Sequence, residues 1–276
     1  MYAQAMRGEP DLETLRGLLD RLWHDHAALN AQAKRIHALL EERGERVVND
    51  HVALRTFGGA RVGIDALAAP FVRFGYVAAA SYRFPEKKLR ARHYEHAGAD
   101  LPKIFVSELD TAALGEEARG IVARLVSEVG DEQTRRLDFP VCGRPWKISS
   151  AEYAVLREAS EYAAWLAAFG FRANHFTVSV NALRAFDGIA DLNAFLEEQG
   201  FELNAAGGKI KGSPEELLEQ SSTLAEPVEV GFSDGVRTIP GCYYEFARRY
   251  PGPDGRLFQG FVAKSADKIF ESTDAR

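Results

Sequence analysis

Three residues of this 276-residue sequence have the types to hold a transition metal between them: His51, His175 and Glu245. Two neutral imidazoles and one carboxylate on one face of an ion leave its other positions open, a donor set that suits Fe(II) and O2 chemistry. A 2-oxo acid would fill two of the open positions with its keto oxygen and carboxylate, and O2 the next. The separations are long, 124 residues from His51 to His175 and 70 more to Glu245, so only a fold that gathers distant strands makes this set a site. The plainer alternative is two histidines satisfied within a sheet and Glu245 paired with an arginine such as Arg248. Arg55 follows His51 by four residues. In a strand the two share a face, about 13 Å apart at ~3.3 Å per residue. A guanidinium pointing into a barrel interior is costly without a partner. Its fork fits a carboxylate through two parallel hydrogen bonds, so Arg55 reads as an anchor for the far end of a diacid or as a structural ion pair.

The surrounding pattern says what must position these side chains. Leu12, Leu15, Leu18, Leu19, Leu22 and Trp23, then Leu29, Ala33, Ile36, Leu39 and Leu40, recur at helical spacing up to Gly44. Such a stripe is expected to pack on a sheet. Residues 47–57 are β-rich and carry His51. A short helix over 65–74 and strands over 76–84, 89–96 and 103–109 complete a β-α-β-β-β order. Residues 111–170 read as mostly helical, broken at Phe139–Pro145. The opening grammar then returns: a strand over 172–180 with His175, a helix over 191–199, and strands starting at Phe201, over 228–232 and over 243–250. Asn49-Asp50-His51 echoes Ala173-Asn174-His175, a weak internal repeat placed at the start of both halves. Ser213-Pro214-Glu215-Glu216 predicts a capped helix through Gln220, and Ser265 to Phe270 a helical turn.

The remaining signals are bland. Lys and Arg total 34 against 40 Asp and Glu, a formal net charge of −6, which gives no electrostatic case for nucleic acid. No apolar run approaches the roughly 20 residues of a membrane span, the first ten residues lack a secretory pattern, and a cytoplasmic location is expected. Cys142 and Cys242 are too few for a disulfide framework. His24, His26 and His37 lie in helix and need no function; His93 and Glu95 share a strand face that could reach a pocket. The basic run Lys87–Arg92 reads as solvated surface. Gly207–Ser213 lacks the spacing of a P-loop and reads as a sharp turn or a pocket rim. A serine-hydrolase elbow is absent.

Taken in order, Asn49–Phe57, Leu101–Leu109, Ala173–Thr177, Gly212–Thr223 and Pro240–Arg249 resemble the 2-oxoadipate dioxygenase/decarboxylase family, from about residue 10 to the C-terminus. The resemblance implies an α+β, vicinal-oxygen-chelate or glyoxalase-like fold. Paired β-α-β-β-β units form a half-open barrel around a metal, with added N-terminal and central helices. The expected organisation is one domain over 1–276: helices in 1–45, the first unit in 46–110, a helical insert in 111–170, and the second unit with a C-terminal segment in 171–276. It implies Fe(II) on His51, His175 and Glu245, with Mn, Zn or Ni as substitutes in purified protein. It also implies a substrate-carboxylate arginine at Arg55 and a substrate-side serine at Ser265, beside His51 and His175. The residue before that serine is apolar in longer members and is Lys264 here. The implied reaction takes 2-oxoadipate and O2 to 2-hydroxyglutarate and CO2, in lysine catabolism. The partners are a small 2-oxo acid and O2, with no nucleic acid and no membrane; the sequence carries no signal of oligomeric state. Alternatives are a glyoxalase-like metal-dependent lyase or isomerase that needs no O2, and a non-catalytic small-anion binding protein.

Overall fold

The computed structural model describes residues 11–98 and 100–274; the expectation about the first ten residues falls outside them. Asp11 caps α1 (Leu12–Leu29) by accepting from the backbone N–H groups of Glu13 and Thr14. Asn30 interrupts the helix and caps α2 (Ala31–Glu42) through Ala33 N–H. Gly44, at φ 81°, turns the chain out of helix. The apolar stripe packs on the sheet as its period predicts: Leu15, Leu22, Ile36 and Leu40 are buried, and Trp23 meets Phe176 edge-on at 5.2 Å.

His26 of α1 is fully buried among Trp23, Phe176 and Tyr244, and burial pushes its imidazole down to about 3. The unfolded chain takes up that proton near the ordinary 6.5. Between these values the unfolded state binds more protons, so stability falls as pH falls, by up to about 1.4 kcal/mol per pH unit. His26→Leu is expected to remove this share of the acid sensitivity. Denaturant midpoints measured from pH 6.5 to 3 check it; an unchanged slope would place the acid loss elsewhere.

The first half of the sheet comprises β1 (Asn49–Phe57), β2 (Val77–Phe84), β3 (Leu89–Glu95) and β4 (Lys103–Leu109), with α3 (Ile64–Arg73) between β1 and β2. Helices α4 (Glu116–Ser127), α5 (Asp131–Thr134), α6 (Ser150–Ala159) and α7 (Glu161–Phe169) follow. Every residue of α7 from Tyr162 to Phe169 is buried, which explains its uninterrupted apolar sequence. The second half runs β5 (Ala173–Ser179), α8 (Ile189–Glu198), β6 (Lys211–Ser213), β7 (Leu218–Ser222), β8 (Pro227–Phe232), β9 (Gly235–Pro240) and β10 (Tyr243–Arg249), and α9 (Ala263–Phe270) comes last.

Eight strands form one sheet in the order β2-β3-β4-β1-β5-β10-β7-β6. The order is its own mirror: β1 is parallel to β4, β5 is parallel to β10, and β1 and β5 meet antiparallel at the seam. This is the curled, paired β-α-β-β-β architecture that the repeat and the resemblance imply.

Three expectations about the second half are corrected. The strand at 228–232 lies outside the main sheet, in a hairpin of β8 with β9. The segment at Phe201 makes only a bridge, Leu203 to Thr223. The helix expected over 213–220 is a β-hairpin. Its first turn does form, with Glu216 N–H bonding to Ser213 O and Oγ and Leu217 N–H to Pro214 O. Leu217 then adopts φ 62°, and Leu218–Ser222 pairs with β10. Ser-Pro serves a turn as well as a helix start, and strand pairing decides between them. Gly212 shows what the hairpin demands: at φ 82°, a Cβ there would lie 2.1 Å from Leu218 O. Among the described residues, no helix is long and apolar enough to cross a membrane.

Candidate metal centre

The sheet order removes the sequence distance between the candidate ligands. His51 lies on β1, His175 on β5 and Glu245 on β10, three adjacent central strands. Thr177 of β5 sits opposite both His51 and Glu245 in register. His51 Nε2 is 3.4 Å from His175 Nε2 and 3.5 Å from Glu245 Oε1, and His175 Nε2 is 3.2 Å from Glu245 Oε2. All three side chains are buried and offer ligand atoms within 4.8 Å of one another. Arg248, the sequence's other candidate partner for Glu245, instead donates to Asp187 O at 2.5 Å.

The neighbours of these groups decide which lone pairs face inward. Asp50 Oδ1 lies 2.8 Å from His51 Nδ1. Burial alone would protonate Asp50, but the Arg249 guanidinium outweighs it and holds the carboxyl far below its usual range. An ionised Asp50 can only accept, so His51 carries its proton on Nδ1 and turns the Nε2 lone pair inward. His175 Nδ1 likewise faces Asn174 Oδ1 at 3.2 Å. Burial lowers the pKa of both histidines, that of His175 well below 6.5 with His51 and Arg55 adding to the effect. Two neutral acceptors thus confront each other beside a carboxylate, an arrangement that a cation relieves. Thr177 Oγ1, 3.1 Å from His51 Nε2, is the nearby hydroxyl.

Glu245 completes the fit. Gln220 Nε2 donates to its Oε1 at 2.6 Å, whereas Oε2 is buried without a hydrogen-bond partner. Burial pushes the carboxyl up to about 8 despite the lowering by Gln220; an ionised Glu245 needs positive charge beside it. One oxygen is held and the other is free to ligate. The buried, unpartnered oxygen and the two inward Nε2 atoms together fit a divalent metal.

The cavity at these atoms is about 20 Å³, walled by Phe105, Tyr243, Phe261, Ala266, Ile269 and Phe270 besides the polar residues. That is room for an ion or a water, not for a six-carbon diacid. Phe261 stands edge-on to His51 at 4.8 Å, and Tyr243 stacks on His175 at 4.5 Å.

Arg55 is 2% exposed, on the same strand as His51. Its guanidinium lies 5.0 Å from the ring centroids of both Tyr162 and Trp165 and 5.6 Å from that of Phe270. Both terminal nitrogens donate to Thr273 Oγ1 at 3.2 Å, and Nε has no partner among the described residues. It borders a second cavity of about 230 Å³ that shares Phe270 with the first and has Lys87, Lys88, Glu161 and Asp274 on its walls. Part of the basic run therefore sits at this cavity, while Arg90 and Arg92 are paired with Glu108 and Asp65.

Ser265 is buried on α9. Its neighbour Ala266 lines the metal cavity, whereas Ser265 itself faces Gly212 and a third cavity of about 770 Å³. The structure thus brings His51, His175, Glu245 and, one cavity away, Arg55 together, and leaves Ser265 on the far side of α9. The Gly207–Ser213 loop is part of the rim of that third cavity. His93 and Glu95 do share a face, 2.9 Å apart, and His93 also meets Tyr82 Oη at 2.8 Å. Cys142 and Cys242 are free thiols pushed up by burial, to about 11 and about 12. The sequence alone does not mark Gln220, Tyr243, Phe261 or Arg249 as site residues: Gln220 lies where the pattern predicts a helix, and the others look like core or surface without the sheet order.

A curled sheet of paired β-α-β-β-β units, here with two histidines and a glutamate on its central strands, is the fold of the glyoxalase-like or vicinal-oxygen-chelate class. A Ralstonia eutropha protein named for the glyoxalase superfamily shares the fold, with a TM-score of 0.75 at 23% identity over 89% of this chain and 85% of its own. Within that class the chain belongs to the 2-oxoadipate dioxygenase/decarboxylase family, an enzyme family whose profile matches residues 6–139 and 143–259. It is 36% identical over 255 residues to the chloroplastic 2-oxoadipate dioxygenase/decarboxylase of Arabidopsis thaliana, covering 83% of this chain and 69% of that protein. The hydroxyglutarate synthase of Oryza sativa, solved in complex with 2-oxoadipate, superposes with a TM-score of 0.89 at 34% identity, over 99% of this chain and 98% of that one.

Proposed function

We propose that this protein is an Fe(II)-dependent 2-oxoadipate dioxygenase/decarboxylase, converting 2-oxoadipate and O2 to 2-hydroxyglutarate and CO2 in lysine breakdown. The observation that carries the reading is a buried His51–His175–Glu245 set with the aromatic-lined guanidinium of Arg55 on the same strand as His51. The reaction balances without a second organic substrate: the carboxyl beside the keto group leaves as CO2 with its own two oxygens, and both atoms of O2 end in 2-hydroxyglutarate, one in the new carboxyl at the former keto carbon and one in the hydroxyl.

When bound, Fe(II) supplies Lewis acidity toward the keto acid and the electrons that O2 needs. The chain's own residues do the rest. Asp50 and Asn174 fix the tautomers of His51 and His175. Gln220 holds one oxygen of Glu245. Arg55 receives the distal carboxylate, so the length between it and the centre selects a six-carbon diacid. Phe105, Phe261, Ile269 and Phe270 exclude bulk water. His51 and His175 border the substrate; Ser265 faces the third cavity and would reach the substrate only if α9 turned.

The test is O2 consumption and CO2 release with Fe(II) across a panel of 2-oxo acids. The expected result is one CO2 per O2, with 2-oxoadipate preferred over its shorter homologues. CO2-free turnover without O2 uptake would favour a glyoxalase-like lyase, and silence across the panel would overturn the proposal.

A further inference from the structure

Arg249 has no part in the reaction just described, yet its guanidinium is committed in two directions. It lies on β10, four residues beyond Glu245, and is 4% exposed. On one side Nε and Nη2 donate to the two oxygens of Asp50, at 2.6 and 2.8 Å. Asp50 in turn orients His51. On the other side Nη1 donates to Phe258 O at 2.9 Å and Gly260 O at 2.8 Å. These carbonyls flank the start of the segment that roofs the metal cavity: Phe261 is the next residue, and α9 follows at Ala263. The guanidinium carbon is also 5.2 Å from the Phe261 ring centroid, and Phe261 N–H donates to Tyr82 Oη at 3.1 Å.

For a 2-oxo diacid to reach the three candidate ligands, the roof would have to open. Its cavity of about 20 Å³ cannot admit a 2-oxo diacid, and larger cavities lie against α9 on other sides. Beyond α9 the roof is tied again, Ser272 bonding with Asn204 Nδ2 and Ser222 Oγ, each at 2.8 Å. A single rigid fork at the near end therefore holds both the shell of a metal ligand and the root of the roof.

We infer that Arg249 is a positioning residue that couples closure of the Phe261–α9 roof to the geometry of the metal site through Asp50 and His51. The inference rests on the metal reading proposed above. Lysine in its place keeps the charge but lacks the planar fork, and cannot serve a bidentate carboxylate and two carbonyls together. Coupling is reciprocal: if the roof's anchor tunes the metal site, metal must steady the roof.

The test uses the full chain with Mn(II), which is stable in air, and two readouts, equilibrium dialysis for affinity and deuterium uptake over residues 258–270. In the unaltered protein, Mn(II) is expected to bind and to slow uptake in that segment. In Arg249→Lys the affinity is expected to fall by ~10–100-fold, the range typical of lost outer-shell partners, and saturating metal no longer slows uptake there. Asp50→Asn, which keeps the shape but not the charge, is expected to behave the same way and serves if Arg249→Lys does not fold. Affinity within twofold of the parent in a folded variant, or undiminished protection of 258–270 by metal, overturns the coupling. Failure of the unaltered protein to bind any divalent ion overturns the metal reading instead.

Discussion

His175→Ala is expected to leave the protein folded, empty of metal and without turnover. His175 supplies one of two inward-facing Nε2 atoms, 3.4 Å from the other, and no neighbouring residue in the site can replace it: Tyr243 stacks on its ring, and Thr177 and Gln220 offer neutral oxygens or an amide. Metal affinity depends on ligand count, and a His–Glu pair is a poor holder of Fe(II) or Mn(II). The cleanest readout is thermal. A ligand at a thousand times its Kd stabilises the native state by about 4 kcal/mol. At roughly 2–4 °C per kcal/mol for a chain of this size, the parent's Tm rises on the order of 10 °C with metal. His175→Ala should show no metal-dependent rise at all. A variant that keeps the rise would show that the metal sits elsewhere.

Arg55→Ala should separate substrates by their far end. A buried guanidinium–carboxylate contact that loses one partner costs on the order of 3 kcal/mol, about 100-fold in kcat/KM. That loss is expected for 2-oxoadipate and other 2-oxo diacids, carried mainly by KM. For 2-oxo monocarboxylates of equal length the change should be within a few-fold, because they have no charge to place there. Equal losses for both classes would make Arg55 a structural residue. Its surroundings favour the selective outcome: both terminal nitrogens donate to a neutral hydroxyl, Thr273 Oγ1, aromatic faces pack on the guanidinium, and the cavity it borders has Lys87 and Lys88 on its walls as well as Glu161 and Asp274. Arg55→Met, which retains packing against Tyr162 and Trp165, guards against loss of fold as the cause.

Much of this was legible in the residues, and the boundary has physical causes. The candidate ligands were legible in part: Asp-His and Asn-His recur at the starts of two similar β-α-β-β-β runs, whereas the residues alone left a plain alternative of histidines satisfied in a sheet and Glu245 paired with Arg248, and the full set came from the resemblance. The α1–α2 stripe and its packing followed from helical period alone. The Ser213–Gln220 segment failed because Ser-Pro-Glu-Glu opens a helix and a turn with the same first hydrogen bonds; only the pairing of Leu218–Ser222 with β10, a long-range event, settles which. Gln220 was lost with it. Arg249 was hidden for a related reason: in a strand ending Arg248-Arg249, one arginine faces out and one faces in, and the sequence does not mark which. Ser265 was placed from the resemblance, and the helix that carries it presents Ala266, not Ser265, to the metal cavity.

The order of strands across the seam has one more consequence, for a chain still being made. His51 is synthesised well before Glu245, and β10 must dock against β5 before the glutamate reaches the histidines. Contacts of such sequence separation close late in folding. Until then a nascent chain displays at most two imidazoles, and these are brought together only when the two halves of the sheet have met. Capture of a metal ion by all three groups is thereby deferred until the two halves of the sheet have joined, and a half-built chain has no complete set of ligands to offer one.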